Sequence, residues 1–349
     1  MMKISTDAQA KFDSRRRSFL KLSGLLGLGV ATASLLPVEQ AEAVLFGSKE
    51  YKVSRTRLAM GTYVSITAIH SSRDEAENAI GLAFEEMDRL SAVLSRYDSS
   101  SPVSALNTSG ILQDAPREVV EMVARSIYYN RQTNGAFDIT VKPLVDLYKS
   151  SFKGGGKPTD SEVEAVLQRV GAEHLRLEGG NIRFMQEGMG ITLDGIAKGY
   201  IVDRAAELLA AKGIDNHLIN AGGDIRTSGA AAKGKPWTVA IQDPAKQKQY
   251  PDVIRMTSGA IATSGNYEIF YDREMVFHHI VDGRTGLSPE IAASVTIKAD
   301  TVMDADALST SVFVMQPTAG IRFINGQPGC ECLVVGNNGL VARSNGWQA

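Results

Sequence analysis

Two pairs of alternating segments that meet across glycine turns constrain this chain more than any other feature. His174 to Glu178 and Asn181 to Met185 flank Gly179-Gly180, and Cys332 to Val335 and Leu340 to Arg343 flank Gly336-Asn337-Asn338-Gly339. Each reads as a β-hairpin, because glycine and asparagine reach the positive-φ backbone that a tight antiparallel turn demands. Leu58 to Ile69 alternates Val64, Ile66 and Ala68 with Tyr63, Ser65 and Thr67, the period of a half-buried strand, and carries the turn Met60-Gly61-Thr62. Short strands are expected at 217–220, 237–241, 253–257, 260–263, 276–281 and 294–298.

The helical signals are segregated from these strands. Ser72 with Glu75 makes a capping box for a stripe of Ala76, Ala79, Ile80, Ala83, Phe84, Met87, Leu90 and Leu94 that ends near Tyr97. A polar loop, Asp98 to Ser104, leads to a second helix with Pro116 in its first turn, stopped at Asn134-Gly135. Thr159 with Glu162 caps another to about Val170, Gly199 to Lys212 closes on Gly213, and a last helix starts near Asp304, with Asp304 read as its cap. Hairpins with segregated helices predict an α+β fold, mainly antiparallel sheets with packed helices, and not a regular βαβ alternation.

With 349 residues, 44% hydrophobic, 22% charged and a net charge of −2, the chain is globular, with neither the composition of a disordered or collagenous chain nor the basic balance of a nucleic-acid binder. Its two cysteines, Cys330 and Cys332, cannot make a disulfide scaffold; two apart on a strand they share a face and read as buried apolar residues. Ser14-Arg15-Arg16-Arg17-Ser18-Phe19-Leu20-Lys21, the small and apolar Leu22 to Leu36, and Ala41-Glu42-Ala43 read as a twin-arginine signal peptide cut before Val44. The apolar run is shorter and milder than the roughly 20 residues of a spanning helix; a retained anchor is the alternative. The expected division is 1–43 signal, 44–56 linker and 57–349 one domain, in a protein exported to the periplasm.

Several motifs carry chemistry. Gly229 to Lys235 has the spacing of a phosphate-binding loop, but Pro236 stands where a metal-binding Ser or Thr belongs and a strand follows, so it is set aside. Asp306 and Thr310, four apart on a helix, project two hard oxygens from one face, a donor set suited to Mg²⁺ or simply an acidic first turn; Asp306 is expected to be exposed. Thr192-Leu193-Asp194-Gly195-Ile196-Ala197-Lys198 leaves a strand and enters a helix, which makes an anion site or a plain surface lysine. Asn220-Ala221-Gly222-Gly223-Asp224 permits close backbone approach to a ligand or a sharp bend. Of His278 and His279 only one can face a given site. Thr263-Ser264-Gly265 offers hydroxyls at a turn.

Taken in order, these blocks resemble the ApbE family, the FAD:protein FMN transferases. The resemblance spans Met60-Gly61-Thr62, Ser95-Arg96-Tyr97-Asp98, Gly135-Ala136-Phe137-Asp138, Gly195 to Tyr200, Asn220 to Ile225, Thr263 to Tyr267, His278 to Gly286 and Asp304 to Thr310. It implies a T-fold-like flavin transferase that binds FAD with Mg²⁺, transfers the FMN half to a Thr or Ser hydroxyl of an acceptor protein, and releases AMP. It implies that Met60, Tyr97, Ala136, Phe137 and Asp138 contact the flavin nucleotide, with Tyr97 stacking on an aromatic ring. On the same resemblance Thr192, Asp194, Lys198, Gly222, Gly223, Asp224, Thr263, His279 and Ile280 would complete the nucleotide site, Lys198 neutralising phosphate. Asp306 and Thr310, with Gly195, would hold the metal, and the resemblance makes His279 and Asp306 the catalytic candidates, His279 orienting or deprotonating the hydroxyl.

The sequence departs from the family pattern in two places: Thr192 and Asp194 stand where Asp and Gly are usual, and Gly283 replaces a usual Pro. Competing readings are a Mg²⁺-dependent FAD pyrophosphatase giving FMN and AMP, a non-catalytic periplasmic flavin-binding protein, and a maturation factor acting by protein contact. The acceptor is expected to be a membrane or periplasmic electron-transfer flavoprotein, and nothing in the chain selects it.

Overall fold

The computed structural model describes residues 42–46 and 50–348, apart from 232–233, 246–249 and 267–277. The twin-arginine segment lies outside the described residues, as does the beginning of the strand expected at 276–281. After Glu42–Phe46 (β1), Glu50–Ala59 (β2) and Thr62–His70 (β3) form a hairpin across Met60 and Gly61, whose φ angles of 50° and 73° are the left-handed pair that a two-residue turn needs. Residues 50–56, expected as linker, are thus sheet, because nearly every one has a cross-strand partner in β3.

The chain then runs through Arg73–Leu94 (α1), Pro102–Ser109 (α2), Ile111–Leu112 (β4), Arg117–Gln132 (α3), Lys142–Lys153 (α4), Asp160–Leu167 (α5), Leu175–Glu178 (β5), Asn181–Phe184 (β6) and Ala197–Ala211 (α6). Asn216–Ala221 (β7), Asp224–Ser228 (β8), Trp237–Ala240 (β9), Val253–Met256 (β10), Gly259–Gly265 (β11) and Ala292–Ala299 (β12) precede Val302–Val314 (α7), Pro317–Asn325 (α8), Glu331–Gly336 (β13) and Val341–Arg343 (β14). The main sheet has the order β1-β2-β3-β7-β8-β11-β12-β13-β14, with antiparallel neighbours throughout. Small sheets β4-β6-β5 and β9-β10 stand beside it. This is the α+β fold the hairpins predict.

Alternation decides which side of the sheet each residue serves. Ala260 and Ala262 of β11 and Cys332 and Val334 of β13 enter the large core under the helices. Ile261, Leu333 and Val335, one residue out of phase, turn to the opposite face and meet Val239, Ile254 and Met256 of the β9-β10 ribbon. The eight-residue stripe of α1 is buried as its spacing predicts, each large side chain contributing about 1.5–3 kcal/mol. The centre of the molecule belongs to α7, of which only Asp304 and Thr310 escape full burial. A helix packed on α6, β11 and β12 at once has no solvent face to keep polar.

Two local features seat α7. A Cβ on Gly199 would fall 2.4 Å from the Val302 carbonyl oxygen, so only glycine lets α6 cross the start of α7 this closely. The Asp203 carboxylate of α6 accepts the Val302 and Met303 N–H groups at 3.0 and 2.8 Å, satisfying donors that a helix start leaves unpaired. Burial pushes Asp203 up to about 6. The N-cap is Thr301, whose hydroxyl accepts from Asp304 N–H at 3.1 Å; Asp304 itself lies inside the first turn, taking hydrogen bonds from Arg125 and Tyr129. The expected polar loop 98–104 contains the start of α2, capped by Ser101 with Pro102 at its first position. Cys332 is buried and Cys330 half-buried; both thiols are pushed up to about 11 by burial, which keeps them protonated and inert.

Candidate active site

Register gathers the glycine turns at one end of the main sheet. Val64 opposite Ala221 sets the Met60-Gly61 turn beside the Gly222-Gly223 turn, so close that a Cβ on Gly222 would lie 2.5 Å from Thr62 Oγ1. The Gly223 N–H donates to Asn220 Oδ1 at 3.0 Å and holds that turn. Ile261 opposite Ile225 carries the far end of β11, with Thr263 and Ser264, to the same edge. Thr263 spends its hydroxyl on Thr296 at 2.9 Å, within the sheet.

The starts of α6 and α7 converge on this edge. Lys198 Nζ lies 3.1 Å from Oδ2 of the buried Asp224. One residue on, the Gly199 N–H donates to Asp306 Oδ2 at 3.1 Å. Asp306, expected to be exposed, is only 6% exposed, because α7 runs through the core and its first turn faces α6. Burial, followed by the negative charge of Asp224, holds its carboxyl well above the usual carboxylate range; Lys198 and the Gly199 N–H oppose this, and Asp194 adds to it. One turn further, Thr310 Oγ1 sits 3.2 Å from Ser264 Oγ. A Cβ on Gly195 would come within 3.0 Å of the same hydroxyl, so glycine lets the backbone before α6 meet Thr310.

These residues fit a hard divalent cation. Asp224 and Asp306 face one lysine, and Asp194, itself paired to Arg96, adds negative charge; a cation would offset the remaining excess, and a carboxylate, a hydroxyl and a glycine backbone supply oxygen donors.

A second group forms the rim. Arg96 Nε donates to Asp194 Oδ2 at 2.9 Å and Arg96 Nη2 to the Tyr97 hydroxyl at 2.8 Å, while that hydroxyl donates to Asp194 Oδ2 at 3.1 Å. Tyr97 is 68% exposed and the Arg96 guanidinium lies 4.4 Å from its ring centroid. Phe137 reaches the site from below, 3.5 Å from the position of a Gly195 Cβ. Ala136 and Phe137 are otherwise core residues.

Two candidate nucleotide ligands point inward. Asp138 Oδ1 accepts from the Thr140 N–H and hydroxyl at 2.7 and 2.6 Å, and its Oδ2 from Asn130 Nδ2 at 3.1 Å, so its carboxylate organises the turn into α4. Thr192 is buried, its N–H donating to the Ile139 carbonyl and its hydroxyl accepting the Asp194 N–H at 3.2 Å. Both position the chain around the site through these bonds.

The histidine pair divides although residues 278–281, expected as the end of a strand, form no strand in the structure. His278 is buried edge-on to Phe313 of α7; its Nδ1 accepts from the Ile280 N–H and its Nε2 donates to the Pro289 carbonyl at 2.8 Å, the neutral tautomer that both bonds require. His279 is half-buried, and Ile280 is buried. Gly283 brings this segment against the Asp138 turn, where a Cβ would meet Val141 at 3.1 Å and Asp138 at 3.5 Å.

Three contributors were given no role at the level of sequence. Asn107 of α2 clamps the approach to Thr192, its Nδ2 donating to the Ile191 carbonyl at 3.0 Å and its Oδ1 accepting the Ile191 N–H at 2.7 Å. Ser309 supports Ser264 at 2.8 Å. Arg96 had a place in a motif but no role. Long-range pairs of this kind leave no periodicity to read.

Residues 60–334 match the model of the ApbE family. The FAD:protein FMN transferase of Vibrio cholerae is 34% identical over 247 residues, 68% of this chain and 74% of the relative. That of Escherichia coli K12 is 30% identical, covering 74% and 77%. Among solved structures, the ApbE protein of Thermotoga maritima superposes with a TM-score of 0.78 at 30% identity, over 84% of this chain and 97% of the other. The flavin transferase ApbE of Vibrio cholerae does so at 0.72 and 29%, over 88% and 98%.

Proposed function

The chain belongs to the ApbE family and is an FAD:protein FMN transferase, and we propose that it performs the transfer with Mg²⁺ held by Asp306, Thr310 and the Gly195 backbone. The observation that carries this reading is the buried Asp306: a carboxylate beside Asp224, with Lys198 as the near cation, retains its charge most readily with a divalent cation bound. An ion held there would supply positive charge against the FAD pyrophosphate, an effect worth several kcal/mol.

The chain's own groups arrange the rest. Lys198, anchored by Asp224, presents positive charge at the start of α6, where backbone N–H groups also favour an anion. The Gly222-Gly223 and Met60-Gly61 turns bring backbone to the ligand with no side chain on the glycines. Tyr97 on the rim offers an aromatic surface to the flavin nucleotide. His279 is the proposed base for the incoming hydroxyl. The acceptor oxygen attacks the phosphorus of the FMN half, the bond from that phosphorus to the bridging oxygen breaks, AMP leaves with that oxygen, and His279 takes the hydroxyl proton.

The twin-arginine segment supports export to the periplasm and an acceptor there or at the membrane surface, which cell fractionation of the full-length chain tests. The transferase reading is tested by intact-mass spectrometry of a threonine-bearing acceptor protein incubated with this protein, FAD, and either Mg²⁺ or a chelator. A gain of one FMN unit with release of AMP, in the Mg²⁺ arm alone, is the expected result. Equal gain in both arms overturns the metal assignment, and free FMN with AMP and no gain moves the activity to hydrolysis.

A further inference from the structure

We propose that Arg96 is a positioning residue for FAD binding, joining the loop after α1 to the turn before α6 so that Tyr97 is held in its ligand-binding orientation; this rests on the transferase reading above. Arg96 has one side chain and three partners from separate parts of the fold. Its Nε donates to Asp194 at 2.9 Å, its Nη2 donates to the Tyr97 hydroxyl at 2.8 Å, and its Nη1 lies 3.6 Å from Asp146 of α4. The Tyr97 hydroxyl passes the chain of donors on to Asp194 at 3.1 Å. The guanidinium plane also lies over the Tyr97 ring, 4.4 Å from its centroid. A planar fork with several donors makes all these contacts at once, and a lysine ammonium does not.

The loop itself is built to be held. Ser95 Oγ accepts the N–H groups of Tyr97 and Asp98 at 3.1 and 3.3 Å, and the Ser101 hydroxyl donates to the Ser95 carbonyl. The backbone of Tyr97 is therefore set from within the loop, and its side chain is set by Arg96 and Asp194. The turn on the other side is equally constrained, since the Asp194 N–H donates to Thr192 and the next residue, Gly195, packs against Thr310. Arg96 thus spans the rim and the proposed metal site through one carboxylate. The Arg96 side chain is 10% exposed but that of Asp194 is 45% exposed, so solvent screens the pair and its share of folding stability is small. Its consequence lies in geometry: a displaced Tyr97 costs affinity for the ligand while the chemical step, at Asp306 and His279, proceeds.

The test compares the full chain with Arg96→Ala, Arg96→Lys, Tyr97→Ala and the Arg96→Ala/Tyr97→Ala double variant. Three readouts are taken: FAD affinity by flavin fluorescence titration in chelator, kcat and KM for AMP release with Mg²⁺ and acceptor, and Tm without FAD. Arg96→Ala is expected to raise the Kd and KM for FAD by up to about fivefold, no more than Tyr97→Ala does, with kcat within about twofold, and to move Tm by no more than about 2 °C. Arg96→Lys recovers little of the affinity, and the double variant binds FAD no more weakly than Tyr97→Ala alone. Additive losses in the double variant overturn the proposal, because Arg96 then acts on the ligand directly. So does a fall in Tm large enough to account for lost binding, or a fall in kcat with KM unchanged. A wild-type chain that binds FAD yet transfers nothing defeats the transferase reading, while the affinity comparison still judges Arg96.

Discussion

The floor of the site, where Asp306, Asp224 and Lys198 meet at the starts of α6 and α7, is largely buried, whereas on the rim Tyr97 and Asp194 stand in solvent over an Arg96 side chain that is itself largely covered. Both contain an aspartate paired with, or close to, a cation. On the floor, burial strengthens every charge interaction and biases Asp306 toward its neutral form, which the proposed cation would oppose. On the rim, water screens the Arg96–Asp194 pair, and what remains is its directionality. One residue type is therefore governed by charge where it is buried and by hydrogen-bond direction where it is wet.

The largest expected break falls on the floor. Asp306→Asn keeps an acceptor for the Gly199 N–H but removes the charge; kcat is expected to fall by about 10³ or more with the fold intact, since this variant removes a buried charge and leaves no cavity. AMP release and a thermal melt decide it, and retained Mg²⁺-dependent turnover returns the metal to other residues. Gly199→Ala attacks the packing beneath: its methyl group meets the Val302 carbonyl, so α6 and α7 part, at a cost of about 1–3 kcal/mol read by denaturant unfolding. On the rim, Tyr97→Ala should weaken FAD binding by about 1 kcal/mol without the collapse of turnover expected of Asp306→Asn. Unchanged affinity by fluorescence titration would move the flavin off the rim.

The smallest effect separates the scaffold from both regions. His217 of β7 is buried, donates from Nδ1 to the Ile214 carbonyl at 2.7 Å, and has no partner for its buried Nε2 among the described residues. Burial lowers its pKa below the ordinary 6.5, so the folded state resists the proton that the unfolded chain takes up. The corresponding stability is present above pH 6.5 and is lost as pH falls from there toward the lower folded value. Unfolding midpoints across that range should show the decline, and His217→Gln should flatten it at an overall cost of about 1 kcal/mol. A slope that persists in the variant places the responsible group elsewhere.

Local signals were legible where one segment carries the whole cause. The Met60-Gly61 and Gly179-Gly180 turns, the α1 stripe and the Thr159–Glu162 capping box all stand as their spacing predicts. α2, α4 and α8 escaped notice; α2 and α8, of eight and nine residues, offer scarcely two turns of pattern and lack the capping box that marks the equally short α5. The linker expected before residue 57 misread a strand in which Arg55 and Arg57 interrupt the apolar face of Val53 and Ala59, where they pair with Glu77 and Asp88 of α1. Asp304 looked like a cap because an acidic residue there suits a helix start, yet Thr301 holds that place.

By itself the order of residues determined the antiparallel α+β plan and the family, because turn chemistry and an ordered series of short motifs are properties of neighbours in the chain. It placed Asp306 and Thr310 on one helical face, four residues apart. Tertiary structure alone decided that Asp306 is buried, that Asp138 and Thr192 turn inward, that His278 packs while His279 stays accessible, and that Arg96 reaches Asp194 across 98 positions of sequence. Burial and long-range pairing depend on which elements come to lie side by side, and the packing of α6 on α7 and of the Tyr97 loop on the Asp194 turn is written in no single segment.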